Sequence, residues 1–156
     1  MRNKEKGFSL IELLIVVAII LIIAAIAIPN LLRSKMAANE SSAVGSLRTL
    51  NTASVSYSTS YGGYPALLSN LGPAATATSA TADLIDSVLV TGTKSGYSFS
   101  YTAGASDANG NVLAYTITAS PVTLGTTGQR GFFTDQSAVI RGDATGTATV
   151  SSTPIS

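Results

Sequence analysis

The run from Gly7 to Ile28, GFSLIELLIVVAIILIIAAIAI, constrains this chain more than any other stretch, because it is strongly apolar and Glu12 is its one charge. Coiled as a helix, Phe8 to Ile28 rises about 31 Å, enough to cross the hydrocarbon of a bilayer. An acid well inside a membrane costs roughly 2.5–3.5 kcal/mol even on lenient insertion scales. Glu12 therefore implies a partner that an ordinary anchor does not need. Arg2, Lys4 and Lys6 precede the run against the single acid Glu5. By the positive-inside rule that end stays cytoplasmic, and everything after Ile28 crosses the membrane.

Two plainer readings compete. A secretory signal peptide accounts for the basic start and offers Ala25-Ile26-Ala27 as a cleavage site, but the apolar run is long for one and Glu12 sits at its mouth. A simple single-pass anchor accounts for the length but leaves Glu12 and the Gly7-Phe8 junction without a purpose.

Gly7-Phe8-Ser9-Leu10-Ile11-Glu12, followed by the apolar run and Pro29, resembles the N-terminus of type IV pilins and of the related pseudopilins of type II secretion. The resemblance covers about the first 30 residues. It implies that residues 1–7 are a prepilin leader, that a membrane-embedded prepilin peptidase cuts between Gly7 and Phe8, and that the new amine of Phe8 is methylated. Gly7 suits the cut, since it has no side chain to obstruct a narrow protease site and does not favour helix. Processing gives Glu12 its partner: a positive α-amino group on Phe8, of the same chain one turn away or of a staggered neighbour. A buried ion pair of that kind adds little net stability. Its value is register, since a subunit docked one step wrong leaves both charges unpaired, at roughly 3–5 kcal/mol. The resemblance also implies a helical homo-oligomeric filament, a membrane-bound state before assembly, and an assembly platform with an ATPase. Ala18, Ala24, Ala25 and Ala27 among the large isoleucines suit close helix packing.

Pro29 lacks an amide hydrogen and crowds the preceding turn, so a kink is expected there. The helical pattern nevertheless continues. Leu47, Leu50, Ala53, Tyr57 and Tyr61 recur at three- and four-residue steps, with Arg33, Lys35, Asn39, Ser42, Ser46 and Thr49 opposite. The spacing predicts one helix over about 9–61, ended by Gly62-Gly63-Tyr64-Pro65. Residues 8–29 form its membrane or filament-core half, and 30–156 the amphipathic half with one globular head.

In the head, 62–82 reads as a loop and 82–90 as a short helix capped by Thr81, with Asp83 and Asp86 on one face serving its dipole. Tyr97, Phe99 and Tyr101 alternate with Ser98, Ser100 and Thr102, a half-buried strand. Asp107-Ala-Asn-Gly-Asn111 turns the chain into a second strand over Val112 to Ala119. After the loop Gly125–Gly128, Phe132–Thr134 pairs with Ala138–Arg141 around Asp135-Gln136-Ser137. The expected class is α+β, the pilin fold: a long helix packed on a roughly four-stranded antiparallel sheet. Residues 143–156 read as a polar tail, in which Pro154 argues against a central strand.

Catalysis finds no support. The chain has no His and no Cys, which removes the commonest bases, nucleophiles and metal ligands. DANGN at 107–111 imitates the opening of a calcium loop, but Thr118 stands where the closing acid belongs, so it reads as a turn. No cofactor or metal is expected. The net charge is +1, and without the leader the chain falls to −1, so one subunit offers no electrostatic footprint for nucleic acid. Stripes of Arg33, Lys35, Arg48, Arg130 and Arg141 along a filament are a separate matter. Many type IV pilins staple a C-terminal loop with a disulfide; this chain has none and must hold that region otherwise.

Overall fold

A computed structural model describes residues 7–155 of the chain, so Arg2, Lys4, Glu5 and Lys6 lie outside the described residues. The chain divides into two compact units, Met1–Lys35 and Met36–Ser156.

The first unit is the start of α1, Leu10–Tyr61. Its large side chains from Phe8 to Leu32 are exposed, because nothing within the unit is there to cover them. It is long and apolar enough to cross a membrane. The helix runs through Pro29 without a break in its assignment.

The second unit is built on the remainder of α1. Ala43, Leu47, Leu50, Ala53 and Tyr57 are buried at helical spacing, as the sequence pattern requires. They pack with Tyr97, Phe99, Tyr115, Ile117, Ala119 and Phe132 of the sheet. Each large apolar side chain so buried contributes roughly 1.5–3 kcal/mol. That burial holds a helix segment rich in serine, whose intrinsic propensity is modest. Gly62, at φ +82°, ends the helix, and its amide donates to the Ser58 carbonyl at 2.9 Å.

After α1 come a 3₁₀ turn (Leu68–Leu71), α2 (Ser87–Val90) and six strands: β1 (Thr93–Lys94), β2 (Tyr97–Ala103), β3 (Tyr115–Pro121), β4 (Gly131–Asp135), β5 (Arg141–Asp143) and β6 (Thr153–Pro154). They form one antiparallel sheet in chain order, a meander. Phe99 faces Ala119 and Ala119 faces Phe132 across the ladders, which lines one face of the sheet with core side chains.

The α+β class and the long helix stand as expected; several element bounds do not. The sheet has six strands rather than four, because two-residue edges at Thr93–Lys94 and Thr153–Pro154 are too short to show an alternation. Pro154 sits on the outermost strand, where a missing amide costs no ladder bond. The expected polar tail thus carries β6 and the end of β5. The second strand begins at Tyr115, not Val112, which makes only isolated bridges with Tyr64 and Ser106. The strand after Asp135 begins at Arg141 rather than Ala138, whose φ of +59° breaks an extended chain. The helix expected over 82–90 keeps only Ser87–Val90. Residues 82–85 are not helical because their amides are taken by the carbonyls of Asn70, Leu71 and Gly72, and a helix would have to surrender those bonds. Its N-cap is Asp86 and not Thr81; Asp83 lies outside it at φ +53°.

Candidate processing and assembly site

The candidate site is the beginning of α1. Gly7, Phe8 and Ser9 precede the helix and are exposed, so the Gly7–Phe8 peptide lies outside the helical hydrogen-bond ladder. Ser9 occupies the N-cap position and Glu12 the third helical position, the spacing of a capping box. Glu12 Oε2 accepts from the Ser9 amide at 2.9 Å, and the Leu13 amide donates to the Ser9 carbonyl at 3.2 Å. In the single chain the carboxylate therefore serves its own backbone, a contact that the Ser-x-x-Glu spacing made available. Pro29 lies within the helix, two turns before the second unit begins.

Four carboxylates of the head, Asp86, Asp107, Asp135 and Asp143, have local work. Asp86 Oδ1 accepts from the Leu89 amide at 2.7 Å, and its Oδ2 pairs with Lys94 at 3.2 Å. The Leu89 amide, with Lys94, holds its carboxyl below the usual range. Asp107 closes the expected turn. It accepts from the amides of Asn109 and Asn111 and from the Asn111 side chain at 2.8–3.0 Å, and those bonds to Asn111 lower its pKa. Asp135 and Asp143 each bind the residue two places on, Ser137 and Thr145. Among the described residues no three of His, Cys, Asp or Glu gather as metal ligands would.

Three polar groups of α1 belong to the head: Glu40, and Asn39 and Ser46 from the side expected to be polar. Glu40 is only 9% exposed. Its Oε1 accepts from the amides of Gln129 and Arg130 at 2.9 and 3.1 Å, and Oε2 from Arg130 Nε at 2.8 Å. Burial alone pushes its pKa up, but these bonds outweigh it and the carboxyl lies below its ordinary value. Asn39 donates to the Thr127 carbonyl at 2.8 Å, and Ser46 is buried. A single helix cannot announce which polar side chains will meet a loop ninety residues away. Further along, Asn51 Nδ2 donates to Thr134 Oγ1 at 2.9 Å and its Oδ1 accepts from Tyr115 Oη at 3.1 Å, locking helix to sheet. Arg130 and Arg141 are engaged, with Glu40 and with the Ser152 carbonyl, which leaves Arg33, Lys35 and Arg48 as the exposed cations of α1.

The tyrosines pack as core. Tyr57 and Tyr61 rings stand 4.7 Å apart, Tyr64 and Tyr115 4.8 Å. Burial pushes the Tyr97 and Tyr115 phenols up to about 12, and each donates a hydrogen bond, to the Arg130 carbonyl and to Asn51.

Comparison with known proteins places this geometry. The prokaryotic N-terminal methylation motif matches residues 2–28. The chain is similar to the type IV major pilin of Myxococcus xanthus, 50% identical over 54 residues that make up 35% of this chain and 24% of that protein. It is also similar to the type IV wide pilus major component of Thermus thermophilus, 65% identical over 40 residues, 26% of this chain and 30% of the relative. The matched stretches thus span less than a third of either relative's length. No solved structure matches the chain significantly. A prokaryotic N-terminal methylation motif thus runs into an exposed apolar helix, and over that N-terminal stretch the chain is similar to type IV major pilins.

Proposed function

We propose that this chain is a structural subunit of a type IV pilus-like filament. A prepilin peptidase removes residues 1–7 and methylates Phe8; the apolar half of α1 holds the subunit in the inner membrane with its head outside the cytoplasm. A platform and ATPase then move it into a filament at the cell surface. The observation that carries this reading is the exposed apolar half of α1 with Glu12 as its one charge. Leaving lipid for a bundle of like helices gains little hydrophobic energy, so close packing and one ionic contact must set the register. On assembly Glu12 exchanges the uncharged Ser9 amide for the positive Phe8 amine of a neighbour, so that both partners of the bond are charged. Pro29, with no amide hydrogen to donate to Ala25, gives the apolar half of α1 a point at which to bend. The filament serves adhesion, twitching motility or DNA uptake.

Mass spectrometry of sheared surface material tests this. A mature N-terminus at methylated Phe8 supports it, and one at Met1 or Ile28 refutes it. The same N-terminus suits a major pseudopilin of type II secretion. Deleting the gene separates the two: surface filaments are lost in the first case, protein export in the second. A membrane-tethered module that never polymerises is eliminated by sedimentable filaments that contain the chain. Asp86, Asp107, Asp135 and Asp143 are committed to caps and turns and Glu40 to the Arg130 loop, which favours a structural role over catalysis.

A further inference from the structure

The stretch between β5 and β6, residues 144–152, is closed at its base by one carboxylate. Asp143 Oδ1 accepts from the Thr145 amide at 2.9 Å and from Thr145 Oγ1 at 2.7 Å, while Oδ2 accepts from Ser152 Oγ at 3.4 Å. Ser152 Oγ in turn accepts from the Thr149 amide at 3.0 Å, and Arg141 Nη1 donates to the Ser152 carbonyl at 3.2 Å. Asp143 thereby joins the two ends of the segment. With no cysteine in the chain, nothing covalent does so.

The segment crosses the sheet. The backbone of Gly146 and Thr147 lies so close to Gly131 of β4 that a Cβ at Gly131 would overlap it. Gly131 and Phe133 flank the core residue Phe132 along β4, so both face away from the core. Phe133 is nevertheless only 8% exposed, and Ala148 only 7%. Between the segment and the sheet runs a trench of about 640 Å³, lined by Thr116, Thr118 and Phe133 on one side and Ala148 and Val150 on the other. Little apolar surface holds the cover down. Ala144, Thr145, Thr147, Thr149, Val150 and Ser151 are all exposed. A segment with so few buried contacts opens at low cost, and its polar closure decides how often.

We propose that residues 144–152 are a strap, clasped by Asp143, that opens as a unit and uncovers Phe133 and the trench while the core strands stay folded. Absence of native cysteine makes the test clean, since Ala148→Cys introduces the chain's one thiol. The full-length subunit in detergent micelles is labelled with a maleimide, with Thr126→Cys in an exposed loop as reference. Labelling at position 148 should be at least tenfold slower than at 126, and adding Asp143→Ala should speed it at least tenfold. Hydrogen exchange of β3 amides should not change. Equal labelling at 148 and 126 overturns the strap, as does a rate indifferent to Asp143→Ala. Faster β3 exchange in step with labelling overturns the separate unit. Should Asp143→Ala fail to fold, Thr145→Val removes one clasp contact and must still speed labelling.

Discussion

The two halves of α1 treat apolar surface in opposite ways. From Phe8 to Leu32 the large side chains are exposed among the described residues. From Ala43 to Tyr57 the apolar face is sealed by the chain's own sheet. Their charges differ in the same sense. Glu12 has one amide from its own N-cap, whereas Glu40 has three donors from a distant loop. The first half leaves its apolar surface exposed; the second buries its own on folding. A helix can thus carry two unrelated packing problems end to end, provided each has its own pattern of side chains.

Substitutions that act on one half alone test that division. Glu12→Leu carries the largest expected effect: filament yield in the sheared fraction should fall at least tenfold while the melting of the head is unchanged. Normal yield with normal helical symmetry would break the register argument. Leu50→Ala should do the reverse, destabilising the head by about 2–5 kcal/mol in thermal or denaturant unfolding. Ile19→Ala, an equal loss of apolar bulk in the exposed half, should leave the same transition where it was; a shift there would mean the halves are not independent.

Glu40→Ala is intermediate, about 1–3 kcal/mol, because it strips the acceptor from two backbone amides and Arg130. The pH dependence has a definite sign. Glu40 titrates lower folded than unfolded, so its contribution is present above the ordinary carboxylate range and is lost as pH falls through the folded value. Acid titration of head stability should therefore flatten in Glu40→Ala relative to wild type. Ser54→Ala is the smallest: its hydroxyl is buried with no hydrogen-bond partner among the described residues, so removal should be neutral or add less than about 1 kcal/mol. A clear loss of stability would reveal a bond to that oxygen.

The long helix and the β2 alternation were legible because each is a local period repeated several times: Leu47, Leu50, Ala53 and Tyr57 in one, Tyr97, Phe99 and Tyr101 in the other. The Asp107–Asn111 turn was legible for the same reason, since its bonds are made within five residues. The helix at 82–90 was overread. Its apolar spacing suits a helix, but Leu71 and its neighbours offer backbone partners that only the folded chain brings near. Of the buried polar groups, Glu40 and Asn51 gave no signal, because what distinguishes them from exposed residues is a partner more than sixty positions away.

By itself the sequence determined where a membrane-length helix begins, where its one acid sits, and that an α+β head follows, because hydrophobic period and capping chemistry act over a few residues. Tertiary structure alone decided that Glu40 clasps the β3–β4 loop, that two short edges complete the sheet, and that Asp143 closes the C-terminal segment without a disulfide. Those outcomes depend on which surfaces meet after the chain has folded, and distance along the sequence carries no record of that.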